Sequence, residues 1–132
     1  MLAWLLGEET RHRVREVLRR AALVAASDLV LLECDRVLIR AVTLGEIDEG
    51  TAADRRVLLN AAAAHWHLWR VSSEIVDRAR RPFPVEPVRT LDAIHLASAL
   101  AARSAVPGIE LLSLDDRIRQ SGKQLGFRLQ PK

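Results

Sequence analysis

Three carboxylates lie at positions where an ordinary structural residue is not expected to be charged: Glu33, Asp92 and Asp115. Glu33 is three residues after Val30 and four before Val37. This spacing predicts that Glu33 shares the inward face of a helix, where a charge costs free energy unless a partner compensates it. Asp92 lies in the predicted first turn of another helix. Asp115 ends an apolar run of strand length, and open parallel sheets place their ligand sites at such strand ends.

A cluster of these carboxylates would be unstable by itself because like charges repel, whereas a divalent cation reverses that balance. Mg²⁺ or Mn²⁺ prefers such all-oxygen ligands. A structural role is open for each residue as well. Glu33 could form a buried ion pair with an arginine. Asp92 could interact with the helix dipole, and Asp115 with Asp116 could cap the helix that follows.

Apolar residues at helical and strand spacings predict the elements that would position these carboxylates. Ser72 and Thr90 are expected helix caps, as are Ser27 and Asp28, and Gly45 is an expected helix end. We expect helices over residues 10–22, 28–45, 51–64 and 72–80, one helix that begins at residue 90, and a later short helix that ends at about residue 125. Apolar or strand segments are expected at 23–26, 67–71, 109–114 and 127–129. In the helix from residue 90, the expected inward positions are Leu91, Ile94, Ala97, Leu100 and Ala101.

Strands that alternate with helices predict a parallel sheet between helical layers. The chain has 132 residues, of which 49% are hydrophobic, so it can bury one sizeable core and has little room for a second domain. Its one cysteine, Cys34, excludes an intrachain disulfide and a thiolate zinc site. The apolar neighbours of Cys34 predict an inert core residue. The presence of a single cysteine fits a protein of the reducing cytoplasm. We expect no signal peptide and no membrane span.

The net charge of +3, from 20 basic and 17 acidic residues, permits an anionic partner without requiring one. Arg89, Arg117 and Arg119 flank the predicted acidic site and could hold phosphates, although a solvated surface is the ordinary role of any one of them. The three tryptophans could stack on bases. Core packing or a dimer contact is the favoured role for each tryptophan.

Three segments resemble the successive acidic motifs of PIN domains, in the same order and at the usual distances: residues 25–33, 89–97 and 112–117. The stretches LDAIHLASAL and SLDDR carry the resemblance most specifically, and it extends over essentially the whole chain. Within that family the sequence resembles the toxins of the VapC type. The resemblance implies an α/β fold, a three-layer α/β/α sandwich with a central parallel sheet.

The same resemblance implies an endoribonuclease that hydrolyses RNA phosphodiester bonds with one or two Mg²⁺ or Mn²⁺ ions. By position, Glu33, Asp92 and Asp115 match the family's metal-binding and catalytic acids. Asp116 is a further candidate metal ligand. The residues expected to contact the substrate are Ser113, which matches the small hydroxyl residue of the last motif, and the flanking Arg89 and Arg117.

The partners implied by the resemblance are RNA, a cognate VapB-type antitoxin and a second copy of the chain. Residues 1–8 match the helix that follows the family's first strand. We therefore expect a single PIN-like domain over residues 1–132 that lacks this strand and its aspartate, with a start codon assigned too late as the favoured explanation. If the truncation is real, the alternative is a catalytically impaired PIN-like scaffold that binds RNA or a protein partner.

Overall fold

The computed structural model describes residues 11–132, except for the side chain of Arg11. Within these residues, strands lie between helices along the chain, as the apolar spacing predicts. The expected cap Thr10 lies outside the described residues. In chain order the elements are α1 (Arg11–Arg20), β1 (Ala25–Ser27), α2 (Leu29–Thr43), α3 (Glu49–Ala63), β2 (His67–Trp69), α4 (Ser73–Ala79), α5 (Thr90–Ala105), β3 (Leu111–Leu112), α6 (Asp116–Gln124) and β4 (Leu129–Gln130).

The described chain divides into two compact units. The first contains residues 11–24 and 28–67, and the second contains residues 25–27 and 68–132. The single domain expected over residues 1–132 stays a prediction. Among the described residues, no helix is both long enough and apolar enough to cross a bilayer.

In the first unit, α2 packs against α3. Cys34 and Leu59 form the buried centre of this contact, and Trp66 packs against them. Burial raises the pKa of the Cys34 thiol to about 11, so the thiol stays protonated near neutral pH and is a poor nucleophile. An ion pair of 2.8 Å between Arg56 of α3 and Asp35 of α2 links the same helices at the surface. The inert-core role of Cys34 and the packing role of Trp66 are both confirmed.

The second unit is built around α5, which packs against α4, α6 and β1. Its most buried large side chain is Leu96, which is only 1% exposed. Burial of one such leucine stabilises the fold by about 2 kcal/mol. The buried residues of this core, which join α4, α5, α6 and the loop before α5, are Ile75, Phe83, Ala93, Leu96, Ala97 and Ile118.

The strands of the described chain form two sheets of two strands each, β1 with β2 and β3 with β4. Strands β3 and β4 are parallel, with Leu111 opposite Leu129. The predicted α/β class with parallel pairing is thus confirmed. The observed β3 covers only two of the six residues expected to form this strand. Beyond it the backbone turns to lead into α6, although the Ser113 N–H still donates to the Gln130 carbonyl at 3.1 Å.

The structure confirms one of the predicted helix caps and contradicts two. The Ser72 hydroxyl accepts from the Ile75 N–H, as predicted. Asp28 is wrong as a side-chain cap because its backbone is already helical, with φ −58° and ψ −22°, and capping side chains need an extended backbone. Thr90 is also wrong as a cap, since the extended residue is Arg89 and Thr90 is already the first helical residue.

Within residues 11–132, two helices end at a glycine with positive φ: Gly45 follows α2 at 71°, and Gly126 follows α6 at 83°. At the second of these ends the Gly126 N–H donates to the Lys123 carbonyl, and the Phe127 N–H donates to the Gly122 carbonyl. This pair of bonds is the Schellman motif, which satisfies the last carbonyls of a helix and favours glycine at the left-handed position. The predicted helix end at Gly45 is confirmed.

The buried face of α5 is rotated from the expected one. Leu91 is wrong as an inward residue because it is 47% exposed. Ala97 is buried as expected, and the other three predicted positions are half-buried. Because α5 is covered by helices and by β1, its buried set is wider than one stripe: Ala93, Leu96, Ala97, Ser98 and Ala102. Helix α1 ends at Arg20, two residues earlier than predicted.

Helix α6 approaches the neighbouring strands closely at Gly122, which is buried. A β-carbon added there would overlap the Leu111 side chain of β3 and would lie 3.3 Å from a methyl carbon of Leu129 in β4. The absence of a side chain at residue 122 therefore allows the helix to lie directly on the parallel pair.

Arg119 joins the strand ends of the second unit. Its Nη1 donates to the carbonyl oxygens of Ser113, at 2.9 Å, and Gln130, at 3.0 Å, and its Nη2 donates to that of Pro131, at 3.1 Å. A planar guanidinium presents five N–H donors in a fixed fork, so its separate nitrogens can reach carbonyls on different segments at once. Arg119 is therefore a structural residue, and the phosphate contact that the sequence left open for it stays a prediction.

Replacing Arg119 by lysine should lower the free energy of unfolding by about 2 kcal/mol, because most of these charge-assisted hydrogen bonds would be lost. Urea denaturation followed by circular dichroism measures this change. Arg117→Lys is the matched control, since Arg117 is exposed on the same helix, and it should change the stability by less than about 0.5 kcal/mol. Equal stabilities of the two variants would contradict the structural role.

Candidate functional site

The predicted acids are distributed over both units. Glu33 lies on α2 in the first unit, whereas Asp92, Asp115 and Asp116 lie at the starts of α5 and α6 in the second. Glu33 and Asp92 are half-buried, and Asp115 and Asp116 are exposed. Glu33 thus lies at the border of the buried face of α2 and not at its centre, since the next residue, Cys34, is the fully buried one.

Asp115 caps α6. Its Oδ1 accepts from the N–H groups of Arg117, at 2.9 Å, and Ile118, at 3.1 Å, while its backbone is extended. The capping role that the sequence left open for Asp115 is therefore confirmed. The other carboxylate oxygen takes no part in these two bonds, and the role of Asp115 as a metal ligand stays a prediction.

Ser113 shapes the loop that leads into α6. Its hydroxyl oxygen accepts from the Asp115 N–H at 3.2 Å. The Ser113 carbonyl accepts from Arg119. The side chain therefore orients the backbone of Asp115, and its contact with a substrate stays a prediction.

One cavity in the second unit brings Asp92 and Arg117 together. Its volume is about 230 Å³, and it lies between the starts of α5 and α6 and the loop that precedes α5. The lining residues are Val85, Glu86, Pro87, Val88, Asp92, Leu96, Arg117, Ile118, Gln120 and Ser121. A carboxylate and a guanidinium thus face the same concave surface, with apolar side chains beside them.

The loop wall of this cavity is held by Glu86. Its Oε1 accepts from the Phe83 N–H at 2.8 Å and its Oε2 accepts from the Val88 N–H at 2.6 Å. The Phe83 ring is buried in the core, and the Arg78 guanidinium lies 4.2 Å from the ring centroid. The peptide bond between Glu86 and Pro87 is cis. Because both carboxylate oxygens of Glu86 bind backbone N–H groups, the loop is an ordered wall, as its proline content predicts.

Sequence reasoning missed Glu86 and Gln120 as residues of the cavity. Gln120 follows Arg117 by three residues, so the two lie on the same face of α6. This spacing could have identified Gln120. Glu86 had no comparable signal, because its role depends on the folded path of a loop rather than on a periodic pattern.

The three predicted arginines have different positions. Arg117 lines the cavity and is exposed, and Arg89 is exposed at the start of α5. Both are accessible to an anionic ligand, and their contact with phosphate stays a prediction. Arg119 binds backbone carbonyls instead.

The oxygen-only donor set of the predicted site fits Mg²⁺ or Mn²⁺ in its chemistry. Within residues 11–132, however, no group of three or more His, Cys, Asp or Glu side chains could hold a metal ion. Mg²⁺ is commonly held by one or two carboxylates together with water and substrate phosphates. Asp92, which lines the cavity together with Arg117, fits this open type of site in its chemistry.

Comparison with known proteins adds two findings. A family model described as PIN domain matches residues 1–124. A protein of Mycobacterium tuberculosis, strain ATCC 25618 / H37Rv, called Ribonuclease VapC46, is 42% identical over 81 residues. These residues are 61% of this chain and 58% of that protein, so the match spans little more than half of the relative's length.

Variants of Asp115 separate its capping role from its charge. Asp115→Ala removes the capping oxygen and should lower the free energy of unfolding by about 1 kcal/mol, whereas Asp115→Asn keeps an oxygen that can cap and should cost clearly less. Thermal unfolding of both variants measures the difference. If alanine were tolerated as well as asparagine, the capping bonds would contribute nothing to stability.

Proposed function

Since the chain belongs to the PIN domain family, we propose that it is a metal-dependent endoribonuclease that hydrolyses RNA phosphodiester bonds. The observation that carries the proposal is the cavity at which Asp92 and Arg117 meet. An RNA phosphodiester needs cationic groups for its phosphate and carboxylates for a metal ion, and this surface offers Arg117 for the first and Asp92 for the second. The name of the relative from Mycobacterium tuberculosis, a ribonuclease, supports the same chemistry.

In this proposal the metal ligands are Asp92 and Asp115, assisted by Asp116, and the metal-binding role of Glu33 stays a prediction. A bound Mg²⁺ or Mn²⁺ would polarise the phosphate and lower the pKa of an attacking water. The guanidinium of Arg117 would bind the phosphate oxygens and orient the strand, with Arg89 as a second phosphate contact. Ser113 would hold the Asp115 backbone in place through the hydrogen bond from the Asp115 N–H and contact the substrate.

The proposal extends to biological context. By its likeness to a VapC ribonuclease, the chain would be the toxin of a type II toxin-antitoxin pair, acting as a homodimer on cytoplasmic RNA. A VapB-type antitoxin would silence it by covering the cavity beside Asp92. Mixing the chain with the product of a neighbouring small gene would test this partner independently of cleavage.

Cleavage of single-stranded RNA should require Mg²⁺ and stop in EDTA. Asp92→Asn and Asp115→Asn should each lower the rate by about 100-fold or more, because both remove a charge that binds the metal. The matched control is Asp77→Asn, an exposed aspartate of α4 with 64% side-chain exposure, which should leave the rate unchanged. Gel analysis of a labelled RNA gives the rates, and a version extended upstream of Met1 is assayed in parallel.

Cleavage that persists in EDTA, or that survives Asp92→Asn in both versions, would overturn the proposed metal-dependent mechanism. Tight RNA binding without cleavage in both versions would instead favour the catalytically impaired scaffold. Because Asp115→Asn retains a capping oxygen, a loss of activity in this variant would reflect the lost charge and not an unfolded helix.

A further inference from the structure

The cavity beside Asp92 has a composition that its neighbouring charges do not explain. Val85, Val88, Leu96 and Ile118 give it apolar walls, and Leu96 and Ile118 are buried. A site for phosphate and metal alone would need no such surface. Pockets for organic ligands combine apolar walls with a few polar groups that fix orientation, and this cavity has that combination.

The volume limits what the cavity can accept. At about 230 Å³ it is larger than an apolar cavity of about 150 Å³ that accepts benzene. It is smaller than the roughly 300–1,000 Å³ of pockets that enclose drug-sized ligands. A single planar ring system therefore fits, whereas a folded peptide segment does not.

Polar groups occur at the rim of the cavity. Arg117, Gln120 and Glu86 are all exposed, in contrast to the buried apolar floor. Both carboxylate oxygens of Glu86 accept backbone N–H groups of the loop, so Glu86 shapes the wall. The Gln120 amide has a donor and an acceptor, which is what is needed to recognise the edge of a nucleobase. Arg117 is suited to the phosphate attached to the same nucleotide.

From these features we infer that the cavity is a nucleobase subsite, which takes one unpaired base of the RNA strand next to the phosphate held at Arg117. The base packs against Val88 and the apolar floor, and its edge faces Gln120. This inference rests on the proposed function, because it takes single-stranded RNA as the ligand. It makes Gln120 and Val88 specificity residues, separate from the carboxylates.

The test measures binding in EDTA, so it does not depend on catalysis. Fluorescence anisotropy compares labelled five-nucleotide RNAs of a single base type with an abasic strand of the same length at one salt concentration. The best-bound base type should bind about tenfold more tightly than the abasic strand, since burial of roughly 60 Å² of apolar surface on one base contributes affinity of this order. Equal affinities of the intact and abasic strands would overturn the inference.

Val88→Phe fills the cavity and should abolish the advantage of the intact strand. Its matched control is Val76→Phe, at an exposed valine of α4 outside the cavity, which should retain the advantage. A folded Val88→Phe variant that still prefers the intact strand would also overturn the inference.

If circular dichroism shows that the Val88→Phe variant does not fold, the Gln120→Ala variant provides the deciding test. It should weaken binding of the preferred base by about fivefold and leave abasic binding unchanged. The control is Gln124→Ala, at the exposed end of the same helix, which should change neither affinity. Equal effects of Gln120→Ala on both strands, or no effect, would overturn the subsite.

The same RNAs incubated with Mg²⁺ separate this inference from the proposed function. Cleavage of RNA together with equal binding of intact and abasic strands would leave the nuclease standing and remove the base subsite. Base-dependent binding that Val88→Phe abolishes, without cleavage in Mg²⁺, would remove the nuclease and leave the subsite standing.

Discussion

Burial of Leu96 is the packing constraint on which the geometry of the second unit depends. Leu96 lies four residues after Asp92, so the two occupy the same face of α5, one turn apart. Leu96 shares a core with Phe83 and Ile118, which belong to the loop wall and to α6. The packing of Leu96 in this core thus also sets the positions of the Asp92 carboxylate and the Arg117 guanidinium at the cavity.

The sequence predicted those parts of the fold that depend on local chemistry. Ser72 caps a helix and Gly45 ends one because a hydroxyl and a left-handed backbone act within a few residues. The burial of α5 was predicted less well, since Leu91 is exposed and Ser98 is buried. Which face of a helix is covered depends on partners distant in the chain, and periodicity alone does not identify them.

The same distinction applies to the candidate site. The types and order of Asp92, Asp115 and Arg117 could be read from motifs, and the capping role of Asp115 from its place before a helix. The roles of Glu86 and Arg119 could not, because each depends on carbonyl or amide groups that only the folded backbone brings within reach. The sequence alone therefore does not distinguish an arginine that lines the cavity, Arg117, from one that binds the carbonyls of strand ends, Arg119.

The close approach at Gly122 has a consequence at the other end of its helix. A side chain at residue 122 would overlap the Leu111 side chain, so the close packing of α6 on the strand depends on the absence of a β-carbon there. This contact lies more than one turn along the helix from Arg117. Substitutions at the exposed start of α6 therefore leave this contact unchanged, whereas a larger residue at position 122 would require Leu111 or the helix to move.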